Sequence, residues 1–116
     1  MGGPDVAAAN DGVWVAYATG MQGQVEHRRA SDLAELPVAT HEYSNGVHVF
    51  VAGGFVWEAD GMAGELGCLD PQTGALSWTI PLPLGGIVAG DSAAIYLGGS
   101  RGVDTLTPGP GCKTAA

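Results

Sequence analysis

Short apolar runs, broken every few positions by glycine, set the pattern of this chain. Val13-Trp14-Val15-Ala16-Tyr17-Ala18 is a run of β-favouring residues, led in by Asn10-Asp11-Gly12 and closed by Gly20. Val47-His48-Val49-Phe50-Val51 alternates after the tight-turn pair Asn45-Gly46, and Phe55-Val56-Trp57 follows Gly53-Gly54. Leu76 to Ile80 starts after Thr73-Gly74 and stops at Pro81 and Pro83, where missing amide donors mark a loop or a sheet edge. Ile95-Tyr96-Leu97 runs into Gly98-Gly99. The one helical candidate, Ser31 to Leu36 with Ser31 as cap, has room for barely a turn or two before Pro37. The pattern predicts an all-β protein.

The strand signals repeat. Gly12-Val13-Trp14-Val15 opens one unit, and Gly54-Phe55-Val56-Trp57 opens a second, its tryptophan about 43 residues after Trp14. Ala94-Ile95-Tyr96-Leu97 fits a third, about 38 residues further on. Strands beginning near Gln24, Glu65 and Gly102 follow these runs across glycine-rich turns. A period of about 40 residues fits one four-stranded blade of a β-propeller. The expected architecture is a single segment over 1–116, of about three antiparallel propeller-like blades in units 5–42, 43–83 and 84–116. The last blade is incomplete, since Pro108-Gly109-Pro110-Gly111 cannot form a regular outer strand. A small β-sandwich or barrel is the alternative. One twisted sheet cannot bury both faces alone, whereas stacked sheets can. Trp14 and Trp57 are then expected to fill equivalent gaps between blades, with stacking on a sugar or base as their functional alternative.

Composition narrows the partners. The net charge is −8, with only four Lys and Arg residues, which disfavours nucleic acid and anionic membrane surfaces. Hydrophobic residues make up 46% of the chain, enough for a core, yet no apolar run approaches the ~20 residues that span a bilayer. The stretch from Met1 to Pro4 lacks the basic and apolar regions of a signal peptide. Twenty glycines without a three-residue period exclude collagen and fit tight turns.

The sharpest local motif runs Glu65-Leu66-Gly67-Cys68-Leu69-Asp70-Pro71-Gln72-Thr73-Gly74-Ala75-Leu76-Ser77-Trp78. Asp70 can accept bonds from the amides beyond it, Pro71 fixes φ, and Gly74 can supply a positive φ. This stretch resembles the repeat of quinoprotein-like (PQQ-like) β-propellers, in which a strand ends in a Leu-Asp-x-x-Thr-Gly turn and the next strand carries a tryptophan, here Trp78. It is also similar to repeats of actinobacterial exported propeller proteins of unassigned function. The resemblance covers about 20 residues well. The first unit has Arg28-Arg29-Ala30-Ser31-Asp32-Leu33 in place of the Asp-Pro turn, and the third has no tryptophan strand. The dehydrogenases of that family hold a quinone and calcium at the centre of a complete propeller, and none of those ligands maps onto a position here.

No catalytic, cofactor or metal set is read from the sequence, and no cofactor is expected. Asp60 and Asp70 lack the dense oxygen spacing of a calcium loop and read as turn residues. His27, His41 and His48 are irregularly spaced on different predicted strands. Ser77, Ser92 and Ser100 lie outside any nucleophile-elbow pattern, and Gly98-Gly99-Ser100-Arg101-Gly102 precedes a strand, not a phosphate-binding helix. Cys68 and Cys112 have no metal-ligand spacing. They form one disulfide if the protein is exported, or stay two thiols if it is cytosolic. Adjacent blades bring their segments close, so a Cys68–Cys112 bridge is expected.

The leading functional reading is a non-enzymatic binding, sensing or protein-interaction module of an exported, extracytoplasmic bacterial protein, its protein or small-molecule ligand held on the loop face or in the central channel. A fragment of a quinoprotein-like oxidoreductase and a self-assembling structural blade set are the rivals. Closed propellers use four to eight blades. Three units therefore need further blades or a second copy, with the N-terminal part of one chain completing the last blade of the other. A dimer or larger is expected.

Overall fold

A computed structural model of the chain describes residues 5–9, 12–82, 87–91, 93–99 and 102–114. Met1 to Pro4, Asn10, Asp11, Pro83, Ser92, Ser100 and Arg101 lie outside the described residues. The protein is all-β, with no helix among the described residues. Among the described residues twelve strands form three antiparallel sheets in chain order. The first contains β1 (Asp5–Ala9), β2 (Gly12–Thr19), β3 (Gln22–Arg29), β4 (Glu35–Leu36) and β5 (Tyr43–Ser44), with β4 and β5 both on the outer edge of β3. The second is the meander β6 (Val47–Ala52), β7 (Phe55–Asp60), β8 (Glu65–Leu69) and β9 (Leu76–Pro81). The third is β10 (Ile87–Gly90), β11 (Ile95–Gly99) and β12 (Gly102–Leu106).

Two expectations need correction. The segment from Ser31 to Leu36 is not a helix: one turn closes as the Leu33 amide donates to the Arg29 carbonyl at 2.7 Å, and Leu33 then takes φ 59°. That left-handed conformation cannot propagate a right-handed helix, and the chain enters β4 instead. The N-terminal strand is not spare either, because β1 pairs with β2 of its own chain from Asp5 to Ala9. It is therefore taken up in the first sheet of its own chain.

The strand registers coincide from sheet to sheet. Trp14 lies opposite Ala7 and His27, Trp57 opposite Phe50 and Cys68, and Tyr96 opposite Ala89 and Thr105. Side chains alternate across a strand, so each aromatic shares a face with these partners. Trp14 is buried with Val47, Val49, Val56 and Leu69 of the second sheet. Trp57 is buried in a second cluster that includes Ile95, with Val88, Leu97 and Leu106 of the third sheet packed against it. Each tryptophan thus leaves one sheet and enters the apolar face of the next. The Trp57 indole N–H also donates to the Ala52 carbonyl at 2.9 Å, so no polar atom of the ring is stranded.

The tail after β12 supplies no fourth strand to the third sheet among the described residues. It folds back over the second sheet instead. Gly109 lies so close to Trp78 that a Cβ there would stand 2.1 Å from the indole. A disulfide joins Cys68 to Cys112, with Cα atoms 5.8 Å apart, and the Lys113 ammonium reaches the Asp70 carboxylate at 3.3 Å. Beneath it the β8–β9 turn is built as its sequence implies. The Asp70 carboxylate accepts the Gln72 amide at 2.8 Å, and Gly74 takes φ +70°. The Gln72 amide first, and Lys113 after it, hold Asp70 below its usual carboxylate range.

Truncating the buried indole in Trp57→Ala is expected to cost about 3–5 kcal/mol in denaturant unfolding. Thiol titration of the denatured, non-reduced chain is expected to find no free cysteine. Reduction of the 44-residue loop is expected to cost about 4 kcal/mol on chain-entropy grounds.

Candidate functional site

The first sheet departs from the second at its outer edge. In the second sheet β9 pairs along most of β8, whereas β4 meets only His27 and Arg28 of β3, and β5 meets only Gln22 and Gly23. Residues 37–42 bow away between them. Pro37 has no amide to donate to a ladder. Val38 packs against Gly74, where a Cβ would come within 2.7 Å of its Cα, and the Ala39 amide donates to the Thr73 carbonyl at 3.0 Å. The strap is therefore drawn off β3 onto the turn of the second sheet. Behind it opens a cleft of about 610 Å³ whose polar lining includes Tyr17, Gln24, Glu26, Glu35 and His41.

The cleft is acidic and partly preorganised. The Tyr17 hydroxyl donates to one oxygen of Glu26 at 2.6 Å, while the Arg28 guanidinium donates to the other at 2.8 and 3.1 Å. The Tyr17 bond, and then Arg28, lower the Glu26 pKa, so the carboxylate stays charged at neutral pH. Val38 and Leu36 add apolar lining, and Glu35 is exposed at the mouth. On the inner side the His27 imidazole stacks on Trp14, centroids 3.8 Å apart and planes 9° from parallel. Gly12 makes that stack possible, because a Cβ there would lie 2.5 Å from His27 Nε2.

A buried carboxyl lies between the first two sheets. Glu58 is wholly buried on the face of β7 that meets the first sheet, and neither of its oxygens has a hydrogen bond of good geometry. Burial pushes its pKa from 4.5 up to about 10, with the adjacent Glu65 carboxyl and the charge of Asp60 adding to the effect. The Tyr43 hydroxyl, also buried and without a partner, is pushed up by burial and by these same carboxylates. Asp60 is satisfied differently, by the Ser44 amide at 2.7 Å, the Ser44 hydroxyl and the Ala63 amide at 3.1 Å. It is thus a cross-sheet anchor as well as a turn residue.

The residues singled out in the sequence fall into separate places. Trp14 and Trp57 occupy successive sheet junctions, Trp78 lies under the tail, and Asp70, Pro71 and Gly74 form one turn. The three histidines are not brought together. His27 stacks on Trp14, His41 pairs with Glu65 at 2.9 Å, and His48 bonds Asp5. Among the described residues no group of three His, Cys, Asp or Glu side chains is arranged to hold a metal. Sequence reasoning missed Glu58 and the Tyr17–Glu26–Arg28 network. Glu58 sits inside Phe55-Val56-Trp57-Glu58-Ala59, a strand covered on both faces, and a carboxylate in such a strand was the available signal.

No family model, curated protein or solved structure matches the chain.

Between pH 4.5 and about 10 the folded protein holds a proton on Glu58 that the unfolded chain releases. Its contribution to stability therefore falls as pH rises through that window. Glu58→Gln is expected to be more stable than wild type by on the order of 2–3 kcal/mol at pH 7. In urea unfolding the difference should vanish near pH 4.5, and a pH-independent difference would show that Glu58 is not the titrating group.

Proposed function

We propose that the chain is a non-enzymatic binding and interaction module of β-propeller-like blades, from an exported bacterial protein, with the cleft behind residues 37–42 as its ligand surface. One observation carries this reading: three antiparallel sheets follow one another in chain order, and the aromatic at one repeated register position enters the next sheet. That arrangement is what a propeller repeat requires, and the quinoprotein-like turn at Asp70 to Gly74 agrees with it. The Cys68–Cys112 disulfide is compatible with an oxidising, extracytoplasmic compartment. No helix of the described residues is long and apolar enough to cross a membrane.

The cleft favours a basic ligand. Its lining combines the exposed Glu35, the Tyr17 ring and Glu26, where a guanidinium or ammonium ligand competes with Arg28 for the carboxylate.

A tri-arginine peptide is the probe. Calorimetric titration is expected to show salt-sensitive binding, weakened about tenfold or more by Glu26→Gln. In parallel, the chain is mixed with pyrroloquinoline quinone and calcium and then desalted. Quinone absorbance that stays with the protein and reduces a dye in the presence of an alcohol would replace this reading with the oxidoreductase one.

A further inference from the structure

Consecutive side chains of a strand alternate between its two faces. Yet Gln24, Val25, Glu26 and His27, four in a row on β3, all line the cleft. A cleft that touches both faces opens on the edge of the strand, where the backbone is. The pairing shows the same gap. β5 covers the edge of β3 as far as Gly23, opposite Tyr43, and β4 covers it from His27, opposite Leu36. Gly23 sits so close to β5 that a Cβ there would lie 2.0 Å from the Ser44 carbonyl oxygen. Between these two contacts Gln24 to Glu26 face the strap over 37–42 and form no ladder with it.

Which backbone groups meet the gap follows from the ladder. In an antiparallel sheet the N–H and C=O of one residue point to one neighbouring strand, and those of the next residue to the other. Arg29 directs both away from β2: its amide donates to the Ala34 carbonyl at 2.9 Å, and its carbonyl accepts the Leu33 amide at 2.7 Å. His27 and Val25 lie two and four residues back and point the same way. His27 is met there by Leu36. Val25 turns its N–H and C=O into the cleft, where neither β4 nor β5 pairs with it. The strap does not close the gap itself, because its Ala39 amide is taken by the Thr73 carbonyl at 3.0 Å.

We propose that this edge takes its ligand by strand addition: an extended segment of another polypeptide, basic at alternate positions, lies between β3 and the strap. The segment residue opposite Val25 exchanges two backbone hydrogen bonds with it, the pairing by which extended peptides join an open sheet edge. That residue shares a face with Val25. A small apolar side chain suits it, since Val25 and Tyr43 belong to one buried cluster. Its two neighbours share the other face with Gln24 and Glu26. A basic side chain there meets the Glu26 carboxylate beside Tyr17, in competition with Arg28. The inference rests on reading the cleft as the ligand surface, and it adds the polypeptide class and the backbone contact that holds it.

Amide exchange read by NMR, with calorimetric titration, tests it on the 116-residue chain. In the chain alone the Val25 amide is expected to exchange faster than those of Gly23 and His27. Protection equal to theirs would show the edge already filled, by the strap or by a second copy, and would overturn the proposal. The probe is the blocked peptide Arg-Ala-Arg, which is expected to bind and to slow exchange at Val25. N-methylation at its alanine removes the donor to the Val25 carbonyl and is expected to weaken binding about tenfold or more. The same methyl on the second arginine sits on an amide that points away from β3 and is expected to cost less than about threefold. Equal loss from both methyl groups, no loss from either, or equal binding of spermidine, which has no amide, would overturn strand addition and leave the basic-ligand reading standing. A blocked tri-alanine that binds as tightly, with the same response to methylation, would overturn the basic-ligand reading and retain the strand contact. Binding by none of these probes would overturn both.

Discussion

Every larger feature of this protein depends on one contact, an indole leaving the second strand of one sheet and burying itself in the next. A three- to five-stranded sheet of this size is too thin to shield its own apolar side chains. Trp14 and Trp57 answer that problem at successive junctions, each wholly or almost wholly buried against branched residues of the following sheet. The contact also sets the register. A slip of one residue would turn each tryptophan to the opposite face and empty the junction. The same constraint explains the central position of the second sheet: it receives one indole on one face and donates the other from the opposite face, so β7 is apolar or buried nearly throughout.

The tail and the strap are secondary devices that use surfaces this stack leaves over. With no fourth strand beyond β12 among the described residues, the chain returns to the second sheet, lays Gly109 over Trp78, and is held there by the Cys68–Cys112 disulfide and by Lys113 on Asp70. The strap over 37–42 uses the other side of the same β8–β9 turn, through Val38 on Gly74 and Ala39 on Thr73. One tight turn thus anchors segments from both ends of the chain. Pulling the strap toward that turn is also what opens the cleft on β3, so the candidate binding surface follows from a packing contact made elsewhere.

Glu58 shows that the junctions are not optimised for stability alone. Its position corresponds to Val15 in the first sheet and Leu97 in the third, and an apolar side chain would fit the surroundings better. With Tyr43, Asp60 and Glu65 nearby, it puts a polar strip into an otherwise apolar junction. Such a strip weakens the junction as carboxyls lose protons, whereas the cluster between the second and third sheets is built on Trp57, Leu66 and Ile95.

The sequence by itself determined the class of secondary structure, the repeat and the turn. Glycine and Asx-Gly breaks between β-branched runs leave no length for a helix, the tryptophan spacing marks the period, and Asp70, Pro71 and Gly74 each have a local conformational role that needs no tertiary partner. The helical hint at Ser31 to Leu36 failed because a single left-handed residue, Leu33, ends it, and nothing local announces that choice. Only the tertiary structure decided which apolar face meets which, that residues 37–42 leave β3 to join another sheet, and that Glu58 lies buried among carboxyls. Most of those outcomes depend on residues far apart in sequence, such as Trp14 with Val49 and Leu69 or Val38 with Gly74, and hydrophobic periodicity records only that a face is apolar, never what lies across from it.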